Sequence, residues 1–259
     1  MQQASGELAK KTLIFAHRGA NREAAENTRE AFDKSLLSSI DGIETDIQLS
    51  RDEVPVLWHD RFTDKLGKPG KHIDDFDLAE LETLRFVDLA SVSDCAHAGV
   101  GKVMSLNAFL LAYRHRCSLL LEIKNRNWET RYRQELKVGK LLEMILPLSK
   151  PSITVSSFNL SSLVYAHHCN DQVPLIYNFE DYQTFDDARQ VLIQHPFLHG
   201  LCLPIASVDE HWIGLLQRHK KTIAVYTCNN EQEIRKALEF QVDIIVSDLP
   251  ELAIQLRGR

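Results

Sequence analysis

Paired cysteines are missing from this chain. Its five thiols, Cys95, Cys117, Cys169, Cys202 and Cys228, are odd in number, far apart and without a Cys-x-x-Cys pair. That pattern argues against a disulfide framework or a structural zinc site and for buried thiols in a reducing compartment. Surplus positive charge is missing too: the formal net charge is -6, so there is no basic field to draw in a polyanion, and nucleic acid is not an expected partner. No apolar run reaches the ~18 to 20 residues that cross a bilayer, and the first dozen residues, MQQASGELAKKT, hold no apolar stretch of signal-peptide length. A cytoplasmic location with no transmembrane segment is the simplest expectation. Internal repeats, a Pro-rich linker and low-complexity tracts are absent as well.

What is present has the balance of an ordinary folded domain, with 44% hydrophobic and 25% charged residues. Short apolar runs recur at 12–16 (TLIFA), 42–47 (GIETDI), 54–58 (VPVLW), 118–123 (SLLLEI), 152–156 (SITVS), 173–177 (VPLIY), 200–204 (GLCLP), 222–226 (TIAVY) and 243–247 (DIIVS). Between them ENTREAFDKSLLS, NLSSLVYAHHC, VDEHWIGLLQRHK and NEQEIRKALEF place apolar residues at helical spacing. Strand alternating with helix predicts βα units around a parallel sheet. An open doubly wound sheet would want a Gly-rich phosphate turn after the first strand, and HRGANREA lacks its later glycines. The expectation is therefore an α/β fold, a somewhat irregular TIM (β/α)8 barrel over residues 1–259 as one domain, with one strand candidate too many. Residues 60–103 show no clear strand and read as a small insertion after the third strand. Within it, Asp77-Leu-Ala-Glu80 has the spacing of a helix N-cap with a returning Glu.

Strand alternation in GIETDIQL puts Ile43, Thr45, Ile47 and Leu49 on one face and Glu44, Asp46 and Gln48 on the other. SLLLEIK repeats the pattern, with Leu120, Glu122 and Lys124 sharing a face. Two carboxylates turned into a barrel lumen are costly without a cation, although a lone Glu-x-Asp also suits a solvated strand face and Glu122 also suits an ion pair with Lys124. Oxygen donors without a cysteine or histidine set at ligand spacing favour a hard ion, Mg2+ or Ca2+, over zinc. A bend centred on Arg51 to Glu53 would fold 47–58 back on itself, set Asp46 nearly opposite Trp58 and deliver His59 beside the carboxylates. Taken alone, His59-Asp60 reads as polar loop, with Asp60 capping the next element. The first strand ends in His17-Arg18-Gly19: an imidazole suited to proton transfer, a guanidinium suited to phosphate, and a glycine that permits close approach. Glu26 and Asn27 stand at a helix start and read either as caps or as supports for the site residues. His167-His168-Cys169 lies on a helix, where adjacent side chains point about 100° apart and do not converge, so it reads as helix surface plus a buried thiol.

Taken together and in order, His17-Arg18-Gly19, Glu26-Asn27-Thr28, Glu44-Thr-Asp46, His59-Asp60, Glu122-Ile-Lys124 and Ser157-Phe158 resemble the glycerophosphodiester phosphodiesterase family over nearly the whole chain. The resemblance implies a TIM barrel and one divalent cation, Mg2+ or Ca2+, held by Glu44, Asp46 and Glu122. It implies His17 and His59 as acid/base pair and Arg18 and Lys124 on the phosphate. The implied reaction is hydrolysis of a small-molecule glycerophosphodiester to glycerol 3-phosphate and an alcohol, by internal attack of a glycerol hydroxyl and opening of a cyclic phosphate. Phe158 and Tyr226 are candidates for a substrate-pocket wall, with core packing as the alternative. Phospholipase C or sphingomyelinase-D-like chemistry and a non-catalytic phosphate-ester sensor are the competing readings. Three stretches depart from the family pattern: Asp64-Lys65-Leu66-Gly67 in place of Arg-Thr-Thr, Tyr226 in place of a tryptophan before Thr-x-Asn, and Asp243 to Asp248 in place of Gly-Ile-Ile-Thr-Asp. The expectation is that none of them touches the metal or acid/base groups.

Overall fold

The computed structural model describes residues 11–87, 101–146 and 152–258. The first half runs β1 (Leu13–His17), α1 (Arg29–Ser35), β2 (Gly42–Leu49), β3 (Pro55–Leu57), α2 (Leu78–Leu81), α3 (Leu106–Tyr113), β4 (Ser118–Ile123) and α4 (Arg131–Ile145). The second runs β5 (Ile153–Ser157), α5 (Leu160–Cys169), β6 (Leu175–Asn178), α6 (Phe185–Gln194), β7 (Gly200–Pro204), α7 (Glu210–Arg218), β8 (Thr222–Tyr226), α8 (Glu231–Glu239), β9 (Ile244–Ser247) and α9 (Pro250–Arg257). Helix starts follow local chemistry. Thr28, Ser105, Thr130, Asn159, Thr184, Asp209 and Asn230 each accept a hydrogen bond from a first-turn amide, and α9 opens with Pro250.

The strand order β1-β9-β8-β7-β6-β5-β4-β2 closes through a parallel β1–β2 pairing into an eight-stranded barrel, as expected. The ninth candidate, β3, is the surplus one: it lies antiparallel against β2, with Ile47 opposite Leu57 and Leu49 opposite Pro55. Ser50 N donates to Val54 O at 3.0 Å, and Glu53 takes the left-handed conformation that tightens the bend.

Alternation divides the sheet into two chemically different faces. Ile43, Ile47, Leu119, Leu121, Ile123 and Val155 point outward into the main core beneath the helices. A buried side chain of this size contributes about 1.5–3 kcal/mol. Phe15, Leu120, Ile176, Cys202, Ala224, Ile244 and Val246 form a separate apolar cluster that floors the lumen. Gly42 makes room for it, because a Cβ there would come within 2.5 Å of the Phe15 ring. Two residues further along the same faces stand His17, Glu44, Glu122, Asn178, Tyr226 and Asp248. The floor therefore aims the polar layer at the mouth where barrel enzymes do chemistry.

Residues 60–87 carry two 3-10 turns and α2, whose start is held by Glu80 Oε2 accepting from Asp77 N at 2.8 Å. Val56, Trp58, Leu66, Ile73, Leu81 and Val103 pack there as a satellite core outside the barrel. The rest of the segment expected to be an insertion, 88–100 with Cys95 and His97, lies outside the described residues. Buried thiols hold for Cys202 and Cys228 but not for Cys169, which is exposed, nor for the half-buried Cys117. Cys169 is the last residue of α5, whose buried residues are Ser162, Leu163 and Ala166. Among the described residues no helix is long and apolar enough to cross a membrane.

The bottom of the barrel is fastened by Asp41. Its carboxylate accepts from Ile14 N at 2.9 Å and Lys11 Nζ at 2.6 Å and also pairs with Arg257, whose guanidinium in turn reaches Thr12 O. Burial pushes this carboxyl up, but Lys11, the Ile14 amide and Arg257 outweigh it and hold it below its ordinary value. Hydrogen bonds to charged groups are worth about 1.5–3 kcal/mol, so Asp41→Asn is expected to lower the unfolding free energy by roughly that amount at neutral pH. Because the folded value is depressed, this stability is complete above the unfolded carboxyl value of about 3.9 and is lost as pH falls through the folded one. Denaturant titrations from pH 7 to 3 should show the gap between wild type and variant closing in acid; a pH-independent gap would contradict the assignment.

Candidate active site

The exit from β1 sets the first half of the site. Arg18 and Gly19 both adopt left-handed backbone, at φ 56° and 82°. A Cβ at position 19 would lie 2.6 Å from the Ala31 carbonyl carbon, so the turn requires glycine. Arg18 accepts the strain because its amide donates to Glu44 O at 3.0 Å and its carbonyl receives Asn27 N at 3.1 Å. Asn27, also left-handed, is buried. Its Nδ2 donates to Asp46 Oδ2 at 2.9 Å and its Oδ1 accepts from Thr45 at 2.7 Å. Thr28 is the helix cap, so Glu26 and Asn27 are free to turn into the site.

Register brings the carboxylates together. His17 pairs with Glu44 across β1–β2, and Asp46 with Glu122 across β2–β4. Glu44, Asp46 and Glu122 are 4%, 1% and 8% exposed, and one oxygen from each lies within 4.8 Å of the others. Two cations face them: Lys124 Nζ stands 3.1 Å from Asp46 Oδ1 and 2.5 Å from Glu122 Oε1, and Arg18 Nε stands 3.1 Å from Asp46 Oδ2. Burial, then the neighbouring Asp46 and Glu122, push the Glu44 carboxyl well above the usual range. Burial acts the same way on Asp46, but Lys124, Arg18 and His59 overcome it and hold that group far below. Three carboxylates face one guanidinium and one ammonium, so all three can be ionised together only if a further cation joins them; without it the pressure falls on Glu44, which is pushed toward its neutral form. Asp46 Oδ1 and Glu122 Oε1 are buried and share a single cationic partner, Lys124. A buried, all-oxygen donor set with more carboxylates than facing cations fits a hard divalent ion such as Mg2+ or Ca2+.

Both histidines are oriented by a carboxylate. His17 Nδ1 lies 2.6 Å from Asp248 Oδ1, which leaves Nε2 toward the lumen, 3.9 Å from Glu44 Oε2. His59 Nδ1 lies 2.9 Å from Asp60 Oδ1. The bend delivers His59 as the sequence implies, with Trp58 N donating to Asp46 O at 3.1 Å. The loop beyond is clamped by Gln48 Nε2, on Trp58 O at 2.8 Å, and by Arg126, on the His59 and Asp60 carbonyls. Phe158 and Tyr226 meet edge to face at 5.7 Å, and Lys124 Nζ lies 5.7 Å from the Phe158 ring. Tyr226 donates its hydroxyl to Phe179 O at 2.6 Å. His167, by contrast, stacks on Phe197 away from the site.

The expectation that the atypical stretches avoid the acid/base groups is corrected by the structure. Asp248 closes the Asp243 to Asp248 stretch and is the partner of His17; burial raises its carboxyl, but the hydrogen bond and charge of His17 bring it down to about 2. Asn229, beside Tyr226 in sequence, donates to Asp248 Oδ2 at 2.7 Å. Lys65 pairs with Asp60 and Glu26, each at 2.9 Å. A signal for Asp248 was available: alternation in DIIVSD puts Val246 and Asp248 on one face, as it does Leu120 and Glu122. Arg126 and Lys65 carry no such signal, since loop side chains have no periodicity.

Known proteins resemble this chain in sequence and in fold. The family model described as "Glycerophosphoryl diester phosphodiesterase family" matches residues 17–252. A glycerophosphodiester phosphodiesterase of Bacillus altitudinis is 29% identical over 251 residues, covering 95% of this chain and 98% of that protein. Among solved structures, an Oleispira antarctica phosphodiesterase in complex with the product sn-glycerol-3-phosphate superposes with a TM-score of 0.79 at 21% identity, over 96% of this chain and 98% of that one. A glycerophosphodiester phosphodiesterase from Thermotoga maritima gives a TM-score of 0.74 at 22% identity, over 95% and 98% of the respective chains.

A ligand that binds only the folded state raises stability by about 2.7 kcal/mol at 100 times its Kd. Added Mg2+ or Ca2+ is therefore expected to raise the melting temperature of the wild type and not that of Glu44→Gln/Glu122→Gln. An equal rise in both would remove these carboxylates from the ion site.

Proposed function

The chain belongs to the glycerophosphoryl diester phosphodiesterase family, and we propose that it hydrolyses glycerophosphodiesters to sn-glycerol 3-phosphate and an alcohol, with one divalent cation and the histidines 17 and 59. Family membership makes it a phosphodiesterase; the finer reading rests on the site. The observation that carries it is the pair of His–Asp couples, His17–Asp248 and His59–Asp60, beside three buried carboxylates and two cationic side chains. A phosphate-ester sensor would need the charges but has no use for two oriented imidazoles.

Glu44, Asp46 and Glu122 would hold the ion, which supplies charge neutralisation on the phosphoryl oxygens and helps orient the reacting hydroxyl. Arg18 offers a planar fork to the phosphoryl group, and Lys124 a compact charge on its other side. With each Nδ1 engaged by a carboxylate, each Nε2 is left for proton exchange, the division of labour that an Asp imposes on a catalytic imidazole. One histidine takes the proton from the attacking glycerol hydroxyl while the other protonates the departing alcohol oxygen, so that one P–O bond forms as another breaks. The cyclic phosphate left behind is opened by water with the two roles exchanged. Phe158 and Tyr226 would wall the pocket beside Lys124.

General acid or base groups are each worth about 100- to 10,000-fold. In assays of a glycerophosphodiester panel with Mg2+ or Ca2+, quantifying glycerol 3-phosphate and any cyclic phosphate, His17→Ala and His59→Ala should each lose activity on that scale while retaining wild-type circular dichroism. Excess chelator should abolish turnover. Full activity in chelator, or in either histidine variant, would overturn the mechanism.

A further inference from the structure

We propose that Lys65 is a positioning residue that locks the phosphate-gripping Arg18 and the acid/base His59 into one unit; the inference rests on the phosphodiesterase reading of the same site. Its ammonium lies 2.9 Å from Glu26 Oε1 and 2.9 Å from Asp60 Oδ2. Each carboxylate spends its other oxygen on a working group: Glu26 Oε2 receives Arg18 at 3.0 Å, and Asp60 Oδ1 holds His59 Nδ1 at 2.9 Å. An unbroken chain, Arg18–Glu26–Lys65–Asp60–His59, therefore joins the exit of β1 to the exit of β3.

The lysine is set in place from below. It lies in the 3-10 turn Asp64–Leu66, which Gly67 closes at φ 68°, with Leu66 buried in the satellite core and Val87 N donating to Lys65 O at 2.9 Å. Its side chain is 33% exposed, and those of Glu26 and Asp60 are 17% and 31% exposed. Partly exposed pairs of this kind add little to stability, so the geometry has more to offer catalysis than folding. Ligand atoms of Glu26, His59 and Asp60 lie within 4.8 Å of one another, the spacing of a cation site. Lys65 supplies the positive charge there. Without it two carboxylates would repel each other across the mouth, and each would carry its partner with it, Arg18 on one side and His59 on the other.

A role through both partners has a signature that a stability role lacks. Loss of folded enzyme lowers the apparent kcat alone, whereas misplacing His59 lowers kcat and misplacing Arg18 raises KM for the phosphate-bearing substrate. The test is steady-state kinetics on glycerophosphocholine with Mg2+ for wild type, Lys65→Met, Lys65→Gln and Lys65→Arg, each with its melting temperature. Removing groups that orient a site residue costs about 10- to 100-fold. Lys65→Met and Lys65→Gln are expected to lose that much in kcat/KM through both constants, with melting temperatures close to wild type. Lys65→Arg, which keeps a charge between the carboxylates, should recover most of the loss. Lys65→Met/Asp60→Asn should have the kcat of Asp60→Asn alone and differ from it only by a raised KM, the contribution of the Glu26–Arg18 side. Wild-type kcat/KM in Lys65→Met, a loss in kcat alone that follows a lowered melting temperature, no recovery in Lys65→Arg, or additive losses of kcat in the double variant would each overturn the inference while leaving the function intact. Wild type inert on every glycerophosphodiester would instead overturn the function and this inference with it.

Discussion

Three carboxylates converge in a lumen that water reaches poorly, and most of the upper barrel is organised by the need to neutralise them. Glu44, Asp46 and Glu122 are brought together by strand register, a consequence of which hydrophobic residues face the helices. A one-residue slip of β2 would turn Ile43 and Ile47 into the lumen and the acids into the core, so packing on one face enforces charge on the other. Burying ionised carboxylates is costly unless charge and hydrogen bonds compensate. Lys124, Arg18 and Asn27 compensate in part, and the remaining negative charge is what a divalent ion would take up.

Around this centre the side chains act in couples. Asp248 turns His17, Asp60 turns His59, Glu26 steadies Arg18, and Lys65 sits between Glu26 and Asp60. The backbone joins in: left-handed residues at Arg18 and Asn27 are tolerated because hydrogen bonds to β2 hold them, and between them position 19 is a glycine. Just past the end of β4, Lys137 is wholly buried against Glu129, at 2.7 Å, and also meets the carbonyl of Lys124. That contact fixes the strand end from which Glu122 and Lys124 project.

Much of this was legible from residue order. Alternation in GIETDIQL and SLLLEIK gave the lumen face, the SRDE bend brought His59 to Asp46, and β/α alternation gave the barrel with one strand candidate too many. The surplus strand could not be identified by counting, because Pro55–Leu57 is as apolar as a barrel strand and differs only in its antiparallel partner. Asp248 lies 231 positions from His17 and meets it only because β9 pairs with β1. Lys65 and Arg126 act from loops, where neither periodicity nor spacing points a side chain. Cys169 is exposed although cysteine is among the residue types most often buried, because it is the last residue of α5.

Crystals soaked in Mn2+, a hard ion with an anomalous signal and a preference for oxygen ligands like that of Mg2+, would locate the ion. One anomalous peak per chain is expected, bounded by Glu44, Asp46 and Glu122 and reached by neither histidine. Density for the ion among Glu26, His59 and Asp60 with Lys65 displaced, or no peak in the lumen at saturating Mn2+, would contradict that placement.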